Sequence, residues 1–141
     1  MSKIKIPEGS RAVATFGDWT LYELRPAEDN PSYSFLWVRF KLMLPSETQA
    51  RQGRRRVVWL SWNPLALRFA RGADLAQWQT QQPDLYAEVV LFLELTYDRS
   101  WLMHTDGRTA AEIDAEVGRL SLARALAAQR KKAARRNGES V

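Results

Sequence analysis

No cysteine occurs anywhere in the 141 residues. That excludes disulfide frameworks, thiolate metal sites and cysteine nucleophiles together. Histidine is almost as scarce, with His104 the sole example. There is no glycine-rich phosphate loop, no zinc-ligand set and no serine elbow. No run approaches the roughly 18 consecutive apolar residues of a membrane span. The opening "MSKIKIPEGS" lacks the apolar stretch of a secretory signal, and no internal repeat is visible. These absences lead us to expect a cytoplasmic protein with no membrane partner, no metal and no cofactor. Catalysis is left with little. His104 and Asp106 in "MHTDG" are a conceivable base and orienting group. Glu88 with Glu94, or Glu112 with Glu116, are carboxylate pairs whose helical spacing suits a solvated face. We expect no enzyme.

What is present fits a globular chain. Apolar residues make up 45% and charged residues 26%, enough to bury a core without covalent staples. The net charge of +5 is unevenly placed. Residues 119–141 hold seven Lys/Arg against one acid, and residues 39–56 hold six against Glu47 alone. The rest is mildly acidic. Basic blocks of this kind meet nucleic acid or an acidic partner.

Alternation and turn chemistry predict α+β: a four-stranded antiparallel meander followed by helices packed on one face, ending in a long helix with a basic tail. We divide the chain into an extended arm (1–10), one α+β domain (11–129) and the tail (130–141). The strands are expected at 11–16, 19–25, 33–44 and 54–62. Gly17-Asp18 suits a type II′ hairpin between the first two, because glycine tolerates positive φ. In the third strand the even positions Leu36, Val38, Phe40, Leu42 and Leu44 are all apolar, whereas the odd ones include Trp37, Arg39 and Lys41. One buried face accounts for the split. A register pairing Leu44 with Arg54 puts Phe40 opposite Val58 and Arg39 opposite Trp59.

Beyond Trp62 the period changes. Asn63-Pro64 predicts a helix start, with "LALRFAR" continuing it and Gly72 ending it. A second short helix is expected over 73–82. Residues 83–98 are read as a buried helix, with a strand as the alternative, since periodicity alone does not settle short apolar runs. "TDGR" is a turn, and Thr109 with Glu112 is a capping box opening the last helix. Ile113, Val117 and Leu120 share one stripe on it. From 130 onward no apolar residue larger than alanine precedes the final valine, so a frayed tail is expected.

The candidate surface follows from these parities. Trp37 and Trp59 are placed to stack on bases, with Phe35 beside them. Arg39, Lys41, Arg54, Arg55 and Arg56 are placed to meet phosphate. Arg130, Lys131, Lys132, Arg135 and Arg136 would add salt-sensitive affinity. The competing account is that the same rings are covered by packing, because tryptophan is more often buried than displayed. Residues 109–126 also have some features of a helix-turn-helix, but Asp114 and Arg119 occupy positions where that motif buries apolar groups, and a continuous helix through Gly118 is simpler. In topology alone, strands followed by helices resembles some sheet proteins that bind single-stranded DNA, a likeness that transfers no residues. The expectation is a small non-enzymatic nucleic-acid-binding or nucleic-acid-associated protein, with DNA or RNA, single strands included, as partner and oligomers allowed. The alternative is a protein-protein interaction module, an inhibitor or assembly subunit, using the same Trp/Arg surface on an acidic protein partner.

Overall fold

The computed structural model describes residues 10–25, 34–45 and 57–139. Five antiparallel strands form one sheet in sequence order: β1 (Arg11–Phe16), β2 (Trp19–Leu24), β3 (Val38–Met43), β4 (Val57–Asn63) and β5 (Arg68–Phe69). Four helices follow: α1 (Ala73–Gln81), α2 (Pro83–Thr96), α3 (Arg99–His104) and α4 (Ala110–Glu139). The α+β expectation holds, with one strand more than the four read from the sequence.

The β1–β2 connection is the expected two-residue turn. Gly17 has φ +61° and Phe16 pairs with Trp19. Asp18 does not share the positive φ, as a type II′ turn requires. The β3–β4 register differs from the one expected by two residues: Phe40 pairs with Leu60 and Val38 with Trp62. An even shift keeps every side chain on its expected face. It also sets the bulky Trp62 opposite the smaller Val38, where the indole Nε1 donates to the Tyr97 carbonyl at 2.8 Å.

The fifth strand replaces the helix expected after Asn63. Asn63 does cap a turn, its Oδ1 accepting from the amides of Leu65 and Ala66 at 2.9 and 3.1 Å. Leu67 then takes φ +54°, a left-handed conformation that costs an L-residue about 1–2 kcal/mol and cannot continue a right-handed helix. The chain turns back after one loop, and Phe69 pairs with Trp62. Phe69 is buried edge-on against the Trp62 ring at 5.1 Å, and that burial offsets the strain.

The core joins Leu21, Val38, Phe40, Leu42, Leu60 and Trp62 from the sheet to Trp78, Val89, Leu93, Tyr97, Trp101, Leu102 and Ile113 from the helical half. Residues 83–96 are helical, as read: Val89 and Leu93 are fully buried while Leu91 and Leu95 face water. The helix α3 was not foreseen. Asp98 caps it by accepting from the Trp101 amide at 3.0 Å, which brings Trp101 and Leu102 inward.

The capping box at the start of α4 is realised in both directions. Thr109 Oγ1 accepts from the Glu112 amide at 3.1 Å, and Glu112 Oε1 accepts from the Thr109 amide at 3.2 Å. That bonding holds the Glu112 carboxyl below its ordinary range. The helix then runs unbroken through Gly118 to Glu139, so neither a helix-turn-helix break nor a frayed start to the tail is seen. Ala, Arg, Lys and Gln, which dominate residues 123–136, are strong helix formers even without apolar contacts. Nothing lies within 4 Å of a Cβ built on Gly118. Gly118→Ala is therefore expected to stabilise the protein by about 1 kcal/mol, read as a raised midpoint in thermal or urea unfolding.

Candidate nucleic-acid interface

The sheet has a second face, away from the core cluster. Register places Tyr22, Lys41 and Trp59 in one row across β2, β3 and β4, with Leu24, Arg39 and Ser61 in the next. Trp59 is 58% exposed, the only one of the six tryptophans to be open to solvent. The Lys41 ammonium lies 4.7 Å from its ring centroid. This cation–π contact falls to Lys41 and not to Arg39, because of the two-residue shift in register. Arg39 is exposed. Among the described residues, neither Arg39 nor Lys41 has an ion-pair partner. Their charge is left for whatever meets the surface. The face is not open throughout, since Tyr22 is almost fully buried on it.

Other members of the expected surface are arranged differently. β3 begins at Val38, so Trp37 lies in the turn that leads into it, its amide donating to the Ser34 carbonyl at 3.2 Å. The Ser34 hydroxyl also accepts from the Leu36 amide, and this local bonding competes with extension of the strand. Trp37 is half-buried. Phe35 belongs with the core, packed against the main cluster and capped by the Arg108 guanidinium at 4.3 Å. Arg54, Arg55 and Arg56 lie outside the described residues. Arg130, Lys131, Lys132, Arg135 and Arg136 are all exposed on α4. The helix puts Lys131 with Arg135, and Lys132 with Arg136, one turn apart on neighbouring lines.

No known family, curated protein or solved structure matches this chain. Function therefore has to be argued from its own residues. Among the described residues, no helix is long and apolar enough to cross a membrane, and no group of three or more acidic or histidine side chains is placed to hold a metal ion.

A second polar cluster, unforeseen from the sequence, ties the sheet to the helices. Glu23 is fully buried on the core face of β2. Its Oε1 accepts from the Tyr97 hydroxyl at 2.7 Å and faces Arg11 at 3.4 Å. Arg25 Nε stands 2.9 Å from Oε2, off the line of an aligned hydrogen bond, so that contact is an ion pair. Arg25 also reaches Asp106 at 3.2 Å, and Arg108 holds the other Asp106 oxygen at 3.0 Å. Burial first, then the bond to Glu23, pushes the Tyr97 phenol above its ordinary range. The attraction of Glu23 raises Arg11 in turn. The sequence does carry one signal for this cluster: Glu23 falls on the same strand parity as Leu21, where an apolar residue is expected. Asp106 is engaged by two arginines, and no bond joins it to the exposed His104 among the described hydrogen bonds. The base-and-orienter pairing considered from the sequence does not form.

Proposed function

We propose that this chain is a small non-enzymatic nucleic-acid-associated protein, binding through the outer sheet face and the basic half of α4. One observation carries the reading. An exposed indole, Trp59, stands beside two cations, Lys41 and Arg39, that have no acid partner among the described residues. An exposed ring can stack on any base, and adjacent cations meet the phosphates. The rings of Trp62, Trp78 and Trp101 are core and take no part. Trp37 is the weaker member, being half-buried in a turn. Lys131, Lys132, Arg135 and Arg136 add attraction that is independent of sequence. A stacked nucleotide would displace the Lys41 ammonium from the Trp59 ring and turn it toward the phosphate.

Titration of labelled single- and double-stranded oligonucleotides over a salt series tests this. The logarithm of affinity is expected to fall linearly with the logarithm of salt concentration. Trp59→Ala should weaken single-strand binding by about fivefold to a hundredfold, which is the range for losing one stacked base. Its thermal midpoint should stay near that of the parent. Absence of binding at low salt would leave the protein-interaction module as the better reading, with Trp59 as its anchor.

A further inference from the structure

The helix α4 outruns the body on which it starts. Ile113 is fully buried and Leu120 half-buried, but every residue from 121 to 136 is exposed. That is roughly 24 Å of helix at 1.5 Å per residue, without a packed side. Helices in proteins take most of their stability from an amphipathic face against a partner. This one carries such a face. Leu122 and Leu126 stand one turn apart, 62% and 44% exposed. At 3.6 residues per turn they point away from the Ile113 stripe; Arg130 borders them, as does Arg119, which is itself paired with Glu116. Between Arg119 and Arg136 there are seven basic residues and no acid.

The complement lies on α2 of the same chain. Its inner side buries Val89 and Leu93. Its outer side shows Leu91 and Leu95, also one turn apart, 57% and 74% exposed. Asp84 and Glu88 continue that line and Glu94 borders it. Residues 83–98 hold four acids and no base. Among the described residues, none of Asp84, Glu88 and Glu94 enters an ion pair. A nucleic acid is a poor occupant for α2, because these carboxylates repel phosphate. A basic helix with two leucines at matching spacing suits it in both charge and shape.

We propose that two copies of this chain pair by each docking the Leu122/Leu126 face of its α4 on the Leu91/Leu95 face of the other's α2. The exchange is reciprocal, so two-fold symmetry satisfies both patches of both copies and the assembly closes as a dimer. It leaves the outer sheet face free, and Arg124, Lys131 and Arg135 lie on the other side of α4.

Sedimentation velocity on the full chain over a range of concentration and salt tests the pairing. A reversible dimer is expected, weakened by salt because the contact is partly electrostatic. Leu95→Arg and Leu122→Glu should each weaken it by about tenfold or more. Both positions are exposed, so circular dichroism should stay unchanged. Mixing the two variants should restore pairing through one contact, since one keeps an intact α4 face and the other an intact α2 face. A monomer at every concentration would overturn the proposal. So would a dimer broken by Leu122→Glu but untouched by Leu95→Arg, which would mean that α4 pairs with α4. No oligonucleotide is needed, so this result stands apart from the nucleic-acid test.

Discussion

Trp62→Ala is expected to lower the unfolding free energy by roughly 3–5 kcal/mol, the usual cost of emptying a buried aromatic site. Trp62 is fully buried. Its ring packs edge-on to Phe69, and its indole N–H holds the Tyr97 carbonyl. Losing it opens a cavity and leaves a buried acceptor short of its donor. Against a total of about 5–15 kcal/mol for a domain, this one change removes a large part of the stability. Trp59→Ala, three residues earlier on the same strand, should cost about 1 kcal/mol or less, roughly what an exposed cation–π contact contributes. Chemical denaturation of both variants measures the contrast. If Trp59→Ala were as damaging as Trp62→Ala, the exposed ring would be structural, and the stacking role proposed for it would be lost.

Tyr97→Phe is expected to cost about 1.5–3 kcal/mol near neutral pH, because it removes a hydrogen bond to a buried charged carboxylate. It should also change how stability responds to alkali. The folded phenol is raised above its ordinary range by burial and by Glu23, whereas in the unfolded chain it ionises near pH 10. Below that pH both states hold the proton and the stabilisation is complete. Above it the unfolded state releases its proton and the folded state keeps it. Stability then falls as pH rises, by up to about 1.4 kcal/mol per pH unit, until the folded phenol ionises too. Other ionising groups act in parent and variant alike and cancel in the difference. Unfolding curves for both proteins between neutral and strongly alkaline pH give the result. Equal alkaline slopes would show that Tyr97 is not the buried proton donor to Glu23.

Much of the local structure was legible because it rests on neighbours in sequence. Gly17 at a two-residue turn, Pro83 opening a helix, and Thr109 with Glu112 in a capping box are short-range devices. Each formed where the chain placed it. Alternation along residues 38–43 separated the core face of β3 from the face that carries Arg39 and Lys41. Asn63-Pro64 misled because the same cap chemistry serves a single turn as well as a helix. The outcome depended on whether Leu67 would accept a left-handed backbone in exchange for burying Phe69. The tail misled in the other direction. Its lack of large apolar residues argued against packing and was read as fraying, although its Ala, Lys and Arg content favours helix.

The linear chain by itself determined the α+β class, the location of charge in two blocks and the parity that turns Trp59 outward, since each depends on spacing of a few residues. Only tertiary packing decided which cations remain available. Arg11 is drawn to Glu23 across the β1–β2 hairpin, and Arg25, beside Glu23, also reaches Asp106 in the helical half, which Arg108 holds from its other side. Arg39 and Lys41, on the opposite side of the sheet, are out of reach of both acids. A side chain's periodicity fixes its direction, but partners such as Tyr97 for Glu23 and Asp106 for Arg25 come from segments dozens of residues away.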